Sequence, residues 1–208
     1  MDKEIQQYEI FLRKTDGKKI YVDPQEEEGF YLYPGEVRKA GLKDGMLLSQ
    51  EEFQRLHKEY AVPRARKRAL GILSKKDMTQ AQLVEKLQKS FHDTHAIAEA
   101  MAFVTNHGYV DDEAYAKDYI YFHKAKKSFR QMKEELARKG IARDLLENVF
   151  EEEGEQPFDT VRPLVEKYIR KFDQLDYKNI QKVCMHFGRK GYSLEMIRQI
   201  IEDIKTEN

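Results

Sequence analysis

Cysteine and tryptophan are scarce in this sequence of 208 residues, which contains one cysteine, Cys184, and no tryptophan. A single cysteine cannot form an internal disulfide, which favours a reducing compartment. Cys184 lies on a helical apolar stripe with Val183 and Phe187, so we expect a small buried hydrophobe rather than a catalytic or redox thiol. No apolar run is long enough to span a bilayer, and the amino terminus lacks a signal-peptide core. The sequence therefore predicts a cytoplasmic protein that is not associated with membranes.

An excess of charge of one sign is also absent, since 37 basic residues stand against 37 acidic ones. The charges are nevertheless arranged in blocks. Residues 64–89 carry eight basic and two acidic residues, residues 124–143 repeat that count, and residues 147–159 carry six acids and no base. Such blocks predict a polarised surface. The neutral total argues against a dedicated DNA-binding protein, which is usually basic overall.

Signals for catalysis and for metal binding are missing. No glycine-rich phosphate loop follows a strand, and there is no nucleophile elbow or placed acid–base pair. Three consecutive acids at 111–113 cannot converge on one point of a helix, so we interpret Asp111 or Asp112 as the cap of a helix. Three histidines have no second ligand cluster at zinc-finger spacing: His92, His95 and His107. The sequence predicts neither an enzyme nor a cofactor or metal.

Residues 1–60 contain the strand signals of the chain. Apolar and polar residues alternate over 8–12 and over 20–22, and Asp16-Gly17 between these runs is typical of a hairpin turn. Three further elements are predicted: a third strand over 30–33, a short helix over 36–40 and a longer helix over 49–60. The segment is predicted to be a small β-hairpin/helix module.

An internal repeat with a period near fifty residues covers the rest of the chain. Thr79 and Ser128, which are 49 residues apart, are each followed three positions later by glutamine, as in a helix capping box. A third copy follows at an offset of 51, where positions within 183–197 match positions within 132–146. A fixed period indicates stacked supersecondary units. We predict a mainly α fold of three tandem three-helix repeats in an elongated curved array, behind the small strand-containing module.

The predicted segments are the module over 1–60 and repeats over 63–110, 111–153 and 158–205. Helix breaks are predicted at Gly108, Gly140, Pro157 and Gly191. The stretch from Glu151 to Pro157 is predicted to be a linker.

The basic blocks supply the candidate residues for binding a partner or DNA. These candidates are Arg64, Arg66, Lys67, Arg68, Lys75, Lys76, Lys124, Lys126, Lys127, Arg130, Lys133, Arg138 and Lys139. A run of charge is usually a solvated face, and cations near a helix end also suit the helix dipole. Because the block recurs in successive repeats, we favour a binding surface for phosphates or for an acidic groove.

An aromatic stripe could stack on the bases of a single nucleic-acid strand. Helical spacing favours core packing for Tyr115, Tyr119 and Phe122. Tyr121 lies off that stripe, so we expect it to be the exposed ring.

The runs from Gly108 to Ala116, from Arg66 to Leu73 and from Leu136 to Ile141 resemble the RecX family of regulators of the RecA recombinase. The resemblance covers residues 63–205 and is most specific over 66–150. It implies that Gly108, Tyr109, Asp111 and Asp112 form the turn that opens a helix. One departure is Ser90-Phe91, where a Gly-Phe pair is more usual in the family.

The resemblance further implies a non-enzymatic protein that binds in the groove of the RecA filament on single-stranded DNA, and we expect this protein to be a monomer. Such proteins limit filament growth, strand exchange and ATP hydrolysis. Weak binding to single- or double-stranded DNA is compatible with this function and with the alternative below. The alternative is a direct DNA-binding protein of helix-turn-helix-like repeats that acts without RecA.

Overall fold

A computed structural model describes residues 7–15, 17–90 and 92–207. Asp16 of the predicted hairpin turn and Phe91 of the Ser90-Phe91 pair lie outside the described residues. The fold is mainly α-helical with a small antiparallel sheet near the amino terminus, as predicted. The strands are β1 (Gln7–Lys14), β2 (Ile20–Asp23), β3 (Phe30–Leu32) and β4 (Met46–Ser49). The helices are α1 (Pro34–Lys39), α2 (Gln50–Leu56), α3 (Val62–Leu73), α4 (Gln80–Gln88), α5 (Thr94–Asn106), α6 (Asp112–His123), α7 (Phe129–Arg138), α8 (Arg143–Glu153), α9 (Phe158–Ile169), α10 (Tyr177–Lys190) and α11 (Leu194–Glu207).

The sheet has the order β3-β2-β1-β4, with every neighbouring pair antiparallel. Its first three strands lie where the sequence predicts them. The sequence gives no signal for β4, because Met46, Leu47 and Leu48 are consecutive apolar residues without alternation. This strand forms by pairing with the first half of β1, in the register that sets Leu48 opposite Tyr8. Tertiary pairing here decides a conformation that the local pattern leaves open.

The chain divides into two compact units, residues 1–111 and 112–208. In the first unit, Ser49 and Glu52 form a capping box at the start of helix α2, which continues through a π-helical turn (His57–Ala61) into α3. Pro63 lacks the N–H that a regular helix would donate at this point, and the π-helical turn directly precedes it. The predicted boundary between 60 and 63 therefore falls within a continuous helical stretch, and the division into four segments stays a prediction.

One hydrophobic core fills the first unit and runs from Tyr8 on β1 to Val110 after α5. Phe53 on α2 joins the sheet to the helices, because its ring lies 5.4 Å from that of Tyr8 and 5.1 Å from that of Phe30. The module and the helices α3–α5 thus stabilise each other through shared apolar burial.

The second unit contains two cores, one for each set of three helices. The core of α6–α8 contains Ala116, Ile120, Met132, Leu136, Ile141, Leu146, Val149 and Phe150. The core of α9–α11 contains Val161, Val165, Val183, Phe187, Tyr192, Ile197, Ile200, Ile201 and Ile204. None of the helices in the described part of the chain is both long and apolar enough to cross a membrane.

The predicted helix ends are mostly confirmed. Thr79 and Ser128 accept the N–H groups of the glutamines three residues later and complete their capping boxes. Gly108, Gly140 and Gly191 have φ values of 67°, 87° and 90°, a conformation that glycine adopts without strain. The predicted linker from Glu151 to Pro157 is partly wrong, because α8 continues to Glu153 and only the residues from Gly154 onward leave the helix.

Candidate partner-binding surfaces

The candidate cations form two groups. The first basic block is defined as Arg64, Arg66, Lys67, Arg68, Lys75 and Lys76, on α3 and directly after it. The second basic block is defined as Lys124, Lys126, Lys127, Arg130, Lys133, Arg138 and Lys139, on the α6–α7 turn and along α7. The blocks belong to different compact units, and each is described separately.

Arg64 of the first basic block has an internal structural role. Its guanidinium donates to both carboxylate oxygens of Glu36 on α1, at 2.8 and 2.6 Å, and to the carbonyl oxygen of Tyr31 on β3, at 2.6 Å. The same group lies 4.9 Å from the ring centre of Tyr33. A half-buried arginine with this many partners ties α3 to the sheet and to α1, and its charge is largely neutralised.

Arg66 and Arg68 make fewer contacts. Arg66 pairs with Glu99 on α5 at 2.9 Å and lies over the ring of Phe103. Arg68 is exposed and donates from Nε to the hydroxyl of Ser90 at 3.2 Å. The remaining three cations of the block are exposed, and none has a carboxylate within ion-pair distance among the described residues: Lys67, Lys75 and Lys76. These lysines are the members of the block that are available to a partner.

Lys127 of the second basic block is held within its own unit. Its ammonium donates to Glu135 at 2.5 Å and to the hydroxyl of Tyr119 at 2.9 Å. The hydrogen bonds to Glu135 and Tyr119 raise the pKa of Lys127. The bonds from Lys127 and Tyr119 in turn lower the pKa of Glu135. This cluster links the end of α6 to α7.

Arg130 joins α7 to the carboxyl end of α10. Its guanidinium donates to the carbonyl oxygen of Arg189, and the hydroxyl of Ser128 donates to that of Lys190. The last carbonyls of a helix have no partner within the helix, so these donors satisfy groups that would otherwise depend on water. Arg130 also covers Gly191, where an added Cβ would lie 2.5–2.6 Å from its Nε and Cβ atoms. Glycine at this position lets the arginine approach.

Gln156 is a junction residue that sequence reasoning missed. Its side-chain amide donates to the carbonyl oxygens of Lys124 and Lys127, at 3.1 and 2.9 Å, and accepts from the N–H of Phe129 at 3.1 Å. It thereby fixes the turn between α6 and α7 from the loop that follows α8. A single glutamine before Pro157 carries no sequence signal for this role, because its partners are about thirty positions away.

Lys127 also lies 5.3 Å from the ring centre of Tyr119, and three further lysines of the second basic block lie over aromatic rings. Lys124 is 5.6 Å from the ring centre of Tyr121, Lys133 is 5.8 Å from that of Phe150, and Lys139 is 5.7 Å from that of Tyr115. The last two members, Lys126 and Arg138, are exposed and have no carboxylate within ion-pair distance among the described residues. Cation–π contact leaves the positive charge of a lysine in place, unlike an ion pair.

The aromatic prediction is confirmed for three residues and wrong for one. Tyr115 and Tyr119 pack against the core of α6–α8, and Tyr121 is 68% exposed. Phe122 was expected in the core but is 70% exposed. The core-facing line of α6 runs through Ala116 and Ile120, and Phe122 follows Ile120 by two positions, which places it almost opposite on the helix.

The acidic turn lies where the sequence predicts a helix start. Helix α6 begins at Asp112, after Gly108 has reversed the chain. Tyr109 is exposed, and its ring stacks on His107 with the ring centres 5.8 Å apart. Among the residues that the structure describes, no group of three or more histidine, cysteine, aspartate or glutamate side chains could hold a metal ion.

A buried His57–Asp93 pair was not foreseen. Asp93 accepts from the N–H of Ala96 at 2.7 Å and lies 2.6 Å from Nε2 of His57, so it caps α5 and ties it to the π-helical turn. Burial raises the pKa of Asp93, but the hydrogen bonds from His57 and Ala96 outweigh this and lower it overall. Cys184 also departs from expectation, since it is half-buried at the edge of the α9–α11 core rather than buried.

Comparison with known proteins settles the family of the chain. Residues 154–201, which include most of α9–α11, match the family model described as "RecX, third three-helix domain". The regulatory protein RecX of Vibrio vulnificus is 31% identical over 136 residues, which cover 65% of this chain and 89% of that relative. The chain belongs to the RecX family.

Other RecX relatives match along most of the chain. The regulatory protein RecX of Staphylococcus carnosus is 28% identical over 202 residues, which cover 91% of this chain and 76% of that relative. A crystal structure of a regulatory protein RecX matches with a TM-score of 0.64 at 21% identity and covers 94% of this chain and 98% of its own. RecX from Lactobacillus salivarius matches with the same TM-score and identity over 70% of this chain and 97% of its own. The structural likeness shows that the chain has the RecX fold.

Proposed function

We propose that this RecX-family protein regulates RecA by binding in the groove of the RecA filament on single-stranded DNA. Binding there slows filament growth, strand exchange and ATP hydrolysis. The protein acts in the cytoplasm as a monomer, without catalysis and without a cofactor. The observation that carries this proposal is a set of five exposed cations of the two blocks that have neither a carboxylate partner nor a side-chain hydrogen bond among the described residues: Lys67, Lys75, Lys76, Lys126 and Arg138.

Exposed cations of this kind suit a long, repetitive partner. Each is already solvated and free to turn towards phosphates or carboxylates, so one contact contributes little and several together contribute much. Attraction between opposite charges also accelerates association, and this attraction weakens as the salt concentration rises. The five cations are distributed over both units of the chain. A filament, whose subunits repeat, can contact both sets of cations, and a small target cannot.

The test compares charge reversals that leave the internal contacts intact. Lys127 and Arg130 are left unchanged, because their reversal would break the bonds to Glu135 and to the end of α10. The variants are the double Lys126→Glu/Arg138→Glu and the triple Lys67→Glu/Lys75→Glu/Lys76→Glu. The control is Lys18→Glu/Lys43→Glu, which changes the charge as much as the double variant and also alters exposed residues.

Filament binding is measured by co-sedimentation with RecA on single-stranded DNA, and ATP turnover is measured in the same mixtures. We expect each test variant to bind about tenfold more weakly or worse, and to slow ATP turnover less, at unchanged thermal stability. The control should behave as the unaltered protein. Equal losses in the test and control variants, or no loss in either test variant, would contradict the proposal.

A second candidate function is direct binding of single-stranded DNA without RecA. Tyr121 and Phe122 support it, because both rings are exposed, with centres 5.3 Å apart, next to Lys124 and Lys126. Exposed rings beside cations are typical of surfaces on which bases stack. Binding to bare DNA that equals filament binding, falls steeply with salt and is lost in Tyr121→Ala/Phe122→Ala would favour this function.

A further inference from the structure

A groove lies between α10 and α11 in the second unit, and its lining contains none of the five cations on which the proposed function depends. Its volume is about 660 Å³. The residues that line it are Arg130, Tyr177, Ile180, Gln181, Cys184, Met185, Gly188, Arg189, Leu194 and Arg198.

The floor of the groove is apolar and open to solvent. Tyr177, Met185 and Leu194 are 78%, 54% and 47% exposed. Leu194 lies directly on Gly188, where an added Cβ would be 2.9 Å from the leucine Cδ2 atom, so glycine lets this side chain form the floor. Apolar side chains gathered in one concave place are typical of an interaction site rather than of scattered surface residues.

The rim of the groove is positive. It contains Arg130, Arg189 and Arg198, and no carboxylate is among the described residues that line it. Arg189 and Arg198 form no ion pair with any described residue. Arg130 is held in place by its bond to the carbonyl oxygen of Arg189, so the rim has one fixed and two adjustable guanidinium groups.

We propose that this groove docks an acidic amphipathic helical segment of a partner protein. Guanidinium groups bind carboxylates through paired, charge-assisted hydrogen bonds, and a floor containing methionine and leucine accepts the aliphatic side chains of a helix. Nucleic acid fits less well, because bases stack on aromatic faces and most of this floor is aliphatic or sulfur-containing. The proposal does not depend on which protein supplies the segment.

A second opening in the same unit has the opposite character and helps to define the specificity. It lies between the loop after α8 and helix α11, has a volume of about 880 Å³, and includes Glu155, Glu195 and Asp203 in its lining. These carboxylates would repel an acidic segment. An acidic peptide is therefore directed to the groove with the arginine rim.

The test uses the full chain and a fluorescent peptide of about 14 residues, with leucine and phenylalanine at helical i, i+3, i+4 and i+7 spacing and glutamate elsewhere. The comparison probes are the same peptide with lysine in place of glutamate, and fluorescent oligothymidylate. The test variants are Met185→Asp and Arg198→Glu, which alter exposed residues of the floor and the rim. The control is Arg143→Glu, an exposed arginine on α8 outside the groove.

We expect saturable binding of the acidic peptide, at least about tenfold weaker in each test variant and unchanged in the control. Thermal unfolding monitored by circular dichroism should be the same for all variants. Acidic and lysine peptides that bind equally, or Met185→Asp and Arg198→Glu proteins that bind as well as the control, would overturn the proposal. Displacement of the peptide by oligothymidylate through the same residues, or loss of the site through self-association, would also overturn it.

Discussion

The two basic blocks are both rich in lysine and arginine, yet their side chains make different contacts in the fold. In the first basic block, Arg64 and Arg66 form ion pairs with Glu36 and Glu99. In the second basic block one ion pair is short, between Lys127 and Glu135. The other held cations of that block lie over rings or donate to a helix end.

This difference decides how much positive potential each surface retains. An ion pair cancels the charge of the cation, whereas a ring or a carbonyl oxygen leaves it in place. Two of the six cations in the first basic block are in close ion pairs, whereas one of the seven in the second basic block forms a comparably short pair. In the first basic block, Arg64 holds the sheet module against α3, and Arg66 joins α3 to α5.

The largest effect of this comparison is expected for Arg64→Ala. The change removes two bonds to Glu36 and one to Tyr31, and it leaves a half-buried carboxylate without its partner. We expect the first unit to lose about 3 kcal/mol of unfolding free energy. Urea unfolding, followed by a probe in the first unit, measures this because the two units need not unfold together.

The matched control is Lys67→Ala on the same helix, which removes an exposed cation without a carboxylate partner among the described residues. We expect a change within about 0.5 kcal/mol. Equal destabilisation by Arg64→Ala and Lys67→Ala would show that Arg64 does not hold the module as its contacts indicate.

Effects of intermediate size on stability, opposite in sign, are expected from two glycine substitutions. Gly191 has a φ of 90° and lies under Arg130, so Gly191→Ala should destabilise the second unit by about 2 kcal/mol. Gly71 lies inside α3 with nothing within 4 Å of an added Cβ, so Gly71→Ala should stabilise the first unit by about 0.5–1 kcal/mol. Thermal unfolding of both variants checks the signs.

The Gly191 effect can be separated into its two causes by a double-mutant cycle. In an Arg130→Gly background all three contacts with the arginine side chain are absent and only the backbone strain remains, so Gly191→Ala should cost about 1 kcal/mol there. An identical cost in both backgrounds would mean that the arginine moves aside freely and does not tie α7 to α10.

Local pattern predicted most of the fold, because capping boxes, alternation and helical periodicity are short-range signals. The box at Ser128 and the break at Gly140 are of this kind. Strand β4, the exposure of Phe122 and the role of Gln156 could not be predicted, because each depends on neighbours that only the tertiary structure supplies.

The availability of the candidate cations to a partner could not be predicted from the sequence either. All thirteen have the same signal in the sequence, a positive charge within a basic run. Whether a given cation is available depends on a carboxylate, ring or carbonyl that the fold brings to it, as Glu36 meets Arg64 from 28 positions away. The choice of residues for the filament test therefore had to come from the structure.

The smallest effect in the comparison is the pH dependence of the ion pair between Lys127 and Glu135. Hydrogen bonds from Lys127 and Tyr119 lower the pKa of Glu135 below its ordinary value of 4.5. Its contribution to stability is therefore complete above about pH 4.5 and is lost as the pH falls through the lowered pKa. The pKa of Lys127 is raised above its ordinary value of 10.5, so the contribution of the pair to stability is complete below about pH 10.5 and is lost as the pH rises through the raised pKa. Between these limits we expect Glu135→Gln to cost about 0.5–1 kcal/mol, since solvent and salt screen a partly exposed pair.

Unfolding of the Glu135→Gln and unaltered proteins at pH 7 and near pH 3 measures this difference, which should shrink at the lower pH. Glu134→Gln is the matched control, because the Glu134 carboxylate is exposed and lies 3.9 Å from Arg130. That variant should differ little from the unaltered protein at either pH. A Glu135→Gln cost that stays constant down to pH 3 would show that the glutamate acts through packing rather than through its charge.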